Sequence, residues 1–164
     1  MYRLFVPKQA VGANLVYFDM FNASDKTLIV KNVTPVVSGA VAVTGVVGVD
    51  LLLTYTSAIG TGGTAATFGG TDTTATTFSC SPKDNLDRNI TARITPTGGA
   101  TAAGVISWTC VFPEETNAGT YRDAELIRGG EVILPKDFGI RVVQGAVASV
   151  GNIGFNVFFC YLPR

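Results

Sequence analysis

Residues 41–56 read VAVTGVVGVDLLLTYT. Taken alternately, Val41, Val43, Val47, Val49, Leu51, Leu53 and Tyr55 form one apolar series, interrupted only by Gly45. The intervening series, Ala42, Thr44, Val46, Gly48, Asp50, Leu52, Thr54 and Thr56, is mixed. Side chains alternate across a strand, and β-branched residues fit a pleated surface, so the pattern specifies β structure. A single strand of this length would reach roughly 50 Å, whereas strands run about 5–6 residues. A bend or tight turn is therefore expected at 45–48.

The rest of the chain repeats the theme in shorter pieces. Residues 15–21 and 28–33 read as strands joined by the turn-forming run Asn22-Ala23-Ser24-Asp25-Lys26, which predicts a hairpin, with Pro35 stopping regular pairing. Residues 57–77 are rich in Gly, Thr and Ala, too poor in large apolar residues for core, and read as a surface loop with room for one short strand, anchored by Phe68. Further strands are expected at 76–80, 90–95 and 104–112, the last with Ile106, Trp108, Cys110 and Phe112 facing inward. Residues 113–120 form a polar loop, and 123–128 suit either a short helix or a strand. Strands at 131–134 and 140–143 flank a Pro135-Lys136-Asp137-Phe138-Gly139 turn. In the last strand Ile153, Phe155, Val157, Phe159 and Tyr161 line one face, while Phe158, Cys160 and Leu162 make the other apolar. A strand apolar on both faces belongs in the middle of a sheet, with its second face against another sheet or subunit.

Many short strands with Gly and Pro turns and no strong helix pattern predict an all-β, single-domain β-sandwich of eight-stranded jelly-roll type. Residues 1–14 read as an extended N-terminal arm and 15–164 as the jelly-roll domain. Charged residues are only 15%, against about 25% in typical globular domains. Apolar content is correspondingly high, at 47% without glycine, so burial against further copies is expected and the chain reads as an oligomer.

Several functions are disfavoured by composition. Twelve basic and twelve acidic residues cancel, and no basic face for nucleic acid is visible in their order. No histidine is present, which removes the commonest general base, the commonest metal ligand and any Ser-His triad. Serine paired with Lys26, Lys31, Lys83 or Lys136 stays formally open, although these lysines read as surface or turn residues. Cys80, Cys110 and Cys160 form no CxxC pair and read as small core hydrophobes in a reducing compartment. The run Gly60-Thr61-Gly62-Gly63-Thr64-Ala65 matches GxGxxA, but no helix signal follows to hold a pyrophosphate. Glu114-Glu115 reads as a solvated loop pair, and Asp84, Asn85 and Asp87 as a turn without the glycine and glutamate of a calcium loop. The opening residues do not read as a signal peptide, and 33–49, although uncharged, alternates too strictly for a membrane span. No enzyme activity, cofactor, metal, nucleic acid or membrane partner is expected.

Several segments resemble capsid decoration, or cement, proteins of tailed bacteriophages, a group with a jelly-roll fold. The residues concerned are Val36-Val37-Ser38-Gly39-Ala40-Val41, Asp50-Leu51-Leu52-Leu53-Thr54-Tyr55-Thr56-Ser57-Ala58 with Gly62-Gly63-Thr64, and Leu134-Pro135 through Gly139-Ile140-Arg141-Val142 with the terminal apolar strand. The turn Pro-Lys-Asp-Phe-Gly departs from the group, which favours a second proline and an extra glycine there. The resemblance implies a homotrimer on the outside of a phage head, clamping neighbouring major capsid protein capsomers, located on the virion and in the host cytoplasm during assembly. Tyr2, Leu4, Phe5 and Val6 of the arm, or the loop tips, are then expected to touch the shell, and Phe158 and Leu162 to face neighbouring copies. A receptor- or glycan-binding head of a tail fibre is the alternative, and would need an exposed aromatic platform.

Overall fold

A computed structural model describes residues 1–38, 48–69, 86–98, 101–111, 125–127, 130–146 and 151–162. The described strands are β1 (Tyr2–Ala10), β2 (Val16–Asn22), β3 (Leu28–Ser38), β4 (Val49–Thr56), β5 (Thr64–Ala65), β6 (Phe68–Gly69), β7 (Ile90–Ile94), β8 (Thr101–Val111), β9 (Val132–Leu134), β10 (Phe138–Gln144) and β11 (Asn152–Tyr161). They form two antiparallel sheets, sheet A in the order β6-β1-β11-β3-β9 and sheet B in the order β5-β7-β2-β10-β4-β8. The two pack face to face as a β-sandwich around one shared core.

Alternation places the core. From sheet A, Leu4 and Val6 of β1, Val30 and Val33 of β3, and Ile153, Phe155, Val157 and Phe159 of β11 point inward and are fully buried. From sheet B they meet Phe18 and Met20 of β2, Leu51 and Leu53 of β4, and Ile140 and Val142 of β10. Each such side chain removed from water contributes about 1.5–3 kcal/mol, offset by the ordering of the chain. Phe155 of sheet A meets two aromatic rings of sheet B. Its ring lies 5.3 Å from that of Tyr17 and 5.5 Å from that of Phe18. Both β2 aromatics can reach it because the β2–β10 register slips between Phe18 and Val16. The Tyr17 hydroxyl donates to Gln144 Oε1 at 2.8 Å, satisfying both groups in the interior, and burial pushes the phenol well above its ordinary range.

Four expectations need correction. The first residues are not a free arm. Tyr2–Ala10 is an internal strand of sheet A, paired with β11 from Tyr2↔Phe159 to Ala10↔Asn152 and with β6 at Arg3 and Leu4. The reason is its own alternation, Tyr2, Leu4, Val6 against Arg3, Phe5, which is that of a strand with one face in a core. Secondly, β2 and β3 do not form a hairpin, because β2 belongs to sheet B and β3 to sheet A. The connection arches between sheets, and Asn22 holds it. Its buried amide donates to the carbonyls of Lys26, Leu134 and Pro135 at 2.7, 3.0 and 3.2 Å, and its Oδ1 accepts from Ser24 N–H and Oγ at 3.1 and 2.6 Å.

Thirdly, Pro35 does not end its strand, since β3 runs on to Ser38 with Pro35 opposite Phe155. Val33, two residues earlier, turns its carbonyl away from β11 to accept from Leu126 N–H at 2.9 Å. Pro35 shares that orientation, so the N–H it lacks would point away from the β11 ladder. Finally, Trp108 does not face in. It is 69% exposed, while Thr109 and Val111 of β8 are buried, because β8 pairs Trp108 with the outward Leu52 and Thr109 with the inward Leu51. Ile106 and Cys110 are half-buried, and Phe112 lies outside the described residues.

The bend proposed at 45–48, the 76–80 strand, Asp84, Asn85, Lys83, Cys80 and Glu114-Glu115 also fall outside the described residues wholly or in part. Of 123–128, the described 125–127 form a bend that buries Leu126 and Ile127. Leu126 bonds Val33 of sheet A through its N–H and Ser107 of sheet B through its carbonyl, so this short segment ties the two sheets together at one margin.

Candidate contact surfaces

Because β11 is flanked by β1 and β3, its outward side chains sit in the middle of a sheet face. Pairing puts Phe158 between Arg3 and Asn32, Asn156 between Phe5 and Thr34, and Cys160 beside Ile29, which in turn pairs with Ile133 of β9. Phe5 and Ile133 are 46% and 52% exposed, Phe158 is half-buried, and Leu162, just beyond β11, is 46% exposed. Polar side chains separate these apolar ones. Arg3 donates to Asn156 Oδ1 at 3.0 Å and its guanidinium lies 5.6 Å from the Phe5 ring centroid. Thr34 bonds Asn32, and Lys31 pairs with Glu131 at the margin. The result is a patterned face, apolar at intervals and fixed by hydrogen bonds between.

Of the six residues proposed from sequence as contacts, the sheet brings together two on this face. Phe5 and Phe158 share it, and Leu162 lies at the end of the same strand. Tyr2, Leu4 and Val6 are buried within the chain itself at 5%, 0% and 0% exposure, so no shell can touch their side chains while the sandwich is folded. Alternation would have separated the two groups had residues 2–10 been read as a strand. Ile133 was missed because 131–134 is too short for its alternation to declare a face.

Sheet B exposes a second feature. Trp108 and Val105, 69% and 55% exposed, stand on β8 beside the half-buried Leu52. Cys110 pairs with Asp50 on the same side, and burial followed by the Asp50 charge raises its thiol. Cys110 and Cys160 are therefore half-buried on the two outer faces, not core residues.

Next to this apolar strip runs a polar row. Arg93 (β7), Asp19 (β2), Arg141 (β10) and Thr54 (β4) are successive cross-strand partners. Asp19, Arg141 and Thr54 are 0%, 4% and 8% exposed. Asp19 Oδ2 accepts from Gly60 N–H at 2.5 Å and lies 3.7 Å from Arg141 Nη2. Its carboxyl is raised above the usual range by burial, against the opposing pull of the Gly60 N–H and the Arg141 and Arg93 charges. Asp19 Oδ1 and Thr54 Oγ1 are buried without a hydrogen-bond partner.

A groove of about 560 Å³ lies where the margins of the two sheets part, lined by Phe68, Leu86 and Ile90 with Asp87 and Arg88. Asp87 there makes a plain turn, accepting from Asn89 N–H at 3.0 Å, while its own N–H donates to the Tyr161 hydroxyl at 2.7 Å. The glycine run 60–63 leads into β5, paired with β7, where a phosphate-binding loop would need a helix to begin. Among the described residues no three His, Cys, Asp or Glu side chains converge as metal ligands. Comparison with protein-family profiles, with curated proteins and with solved structures returned no match.

Proposed function

We propose that this chain is a structural protein that works by surface contact: a trimeric, jelly-roll capsid decoration protein that binds the outside of a tailed-phage head. The observation that carries the reading is the outer face of sheet A, where Phe5, Phe158 and Ile133 emerge from a hydrogen-bonded polar lattice. Apolar anchors in a polar surround are the composition of protein–protein contacts. Clamping then comes from number, because many modest contacts on a multivalent particle must break together.

Strand order supports the jelly-roll part of the proposal. With the marginal β5, β6 and β7 set aside, the remaining eight strands in chain order pair first with last (β1·β11), second with seventh (β2·β10), third with sixth (β3·β9) and fourth with fifth (β4·β8). Rolling such a four-pair ribbon gives sheets ordered 1-8-3-6 and 2-7-4-5, which is the order of β1-β11-β3-β9 and β2-β10-β4-β8. The architecture is shared by capsid and lectin domains, so it supports the class by analogy and not the activity.

The exposed Trp108 favours a second reading, a glycan- or receptor-binding head, because an open indole beside apolar neighbours is a stacking surface for sugar rings. One experiment separates the two. Purified protein is sedimented with phage heads that lack it, in parallel with sedimentation equilibrium of the protein alone and a glycan array. Co-sedimentation with heads and a trimer mass at micromolar concentration are expected. A monomer that ignores heads and binds glycans would transfer the assignment to the receptor-binding head.

A further inference from the structure

The outer face of sheet B carries a buried carboxylate where a strand normally presents side chains to solvent. Two short segments make that burial possible. Residues 57–63, after β4, and 95–98, after β7, close over Asp19 and reach Arg93. They hold one another through Thr61 N–H to the Gly98 carbonyl at 3.1 Å and Thr97 N–H to the Thr61 carbonyl at 2.9 Å. The Arg93 guanidinium grips the Gly62 carbonyl at 2.9 Å.

The cover is tight and strained. A side chain at Gly60 would meet the Asp19 carboxylate as well as Pro96 Cβ at 2.5 Å and the Gly98 carbonyl at 2.6 Å. Thr95, a β-branched residue, is held at φ 47°, a conformation such residues seldom adopt and one that persists only when its surroundings enforce it. Beneath the cover, Asp19 Oδ1 has no hydrogen-bond partner.

We propose that segments 57–63 and 95–98 form a two-part latch, pinned to sheet B by the Gly60 N–H bond to Asp19, whose opening returns the Asp19 carboxylate, set between Arg93 and Arg141, to solvent. Closed, the latch hides a carboxyl group from water, and open, it returns that group to solvent. Arg141 from β10 and Arg93 from β7 are the charged groups that face Asp19, and neither covering segment contributes a charge.

The sign of the pH dependence follows from burial. Desolvation outweighs the neighbouring guanidinium charges and holds the Asp19 carboxyl above its ordinary value in the closed form. The closed form therefore binds a proton more readily than the open form, so acid tightens the latch. Raising pH through the window between the ordinary carboxylate value and the closed-state value loosens it. One proton limits the slope to about tenfold in the opening equilibrium per pH unit.

Amide hydrogen exchange of the whole chain, followed residue by residue and corrected for intrinsic rates, tests this. Protection at Gly60, Thr61 and Gly98 is expected to fall as pH rises through that window, while Met20 and Ile140 in the strands below stay constant. In Asp19→Asn the same three amides should show a flat profile. Flat wild-type protection, or an unchanged slope in Asp19→Asn, overturns the proposal. Should Asp19→Asn not fold, Gly60→Ala is the second test: protection at Thr61 and Gly98 is expected to drop at least tenfold with Met20 unaffected, and retained protection there refutes the latch.

Discussion

Replacing Leu4 with alanine distinguishes a strand from an arm in a single measurement. The side chain is 0% exposed, and its residue is paired with Val157 of β11 on one side and Phe68 of β6 on the other. Truncation loses the transfer energy of three carbons and leaves a cavity that flanking strands cannot easily close, a combination that costs about 2–5 kcal/mol. Because a domain of this kind is stable by only about 5–15 kcal/mol, that is a large share of the total. At about 2–4 °C per kcal/mol for a chain of this length, the midpoint of thermal unfolding should drop by roughly 10 °C.

Phe5→Ala is the internal control. Its ring is 46% exposed on the outer face and contributes mainly the stacking of the Arg3 guanidinium. The loss should stay below about 1 kcal/mol. Urea unfolding followed by circular dichroism gives both numbers, with an unchanged dependence on denaturant expected for each. Equal and small effects for the two variants would mean that residues 2–10 do not belong to the sheet, and the core described above would have to be redrawn.

Three other outcomes are expected. Asn22→Ala should destabilise by about 2–4 kcal/mol in the same urea assay, because the carbonyls of Lys26, Leu134 and Pro135 lose their shared donor in the interior. Gly139→Ala should be strongly destabilising, since its methyl would lie 2.8 Å from Thr56 Cγ2 and closer still to the Met20 carbonyl; soluble yield and thermal midpoint read it out. Trp108 is the single tryptophan in the sequence. Its fluorescence should match a solvated indole and be readily quenched by iodide in the free protein. A blue shift on adding a partner would place that partner on β8, and a buried-type spectrum in the free protein would contradict the 69% exposure of Trp108.

Most of the longer strands were legible in the residues, because a period of two survives in short pieces of sequence, but β1 was hidden behind the reading of 1–14 as an arm. Residues 153–161 announced a central strand through apolar residues on both faces, and β11 lies between β1 and β3. Pairing was less legible. The 22–27 connection has the composition of a hairpin turn, yet nothing in the local sequence distinguishes a tight turn from an arch between sheets. That distinction depends on Asn22 finding Leu134 and Pro135 more than a hundred positions away. Trp108 was misjudged for a related reason: β8 carries Ile106, Trp108 and Cys110 on one series and Ser107, Thr109 and Val111 on the other. Hydrophobicity alone chooses the first, whereas the register with β4 enforces the second. The polar row on sheet B was not foreseen, since Asp19, Arg93 and Arg141 are isolated charges on three separate strands.

The pairing of β1 with β11 also has a mechanical meaning. Tyr2 lies opposite Phe159, so the outer ends of both strands sit at the same edge of the sheet. Tension applied between residues 2 and 161 would load one ladder bond at a time, as in opening a zip, and not the whole row in shear. A protein pulled from these two points yields at modest force, whereas load carried through the broad face of sheet A is spread over every rung at once.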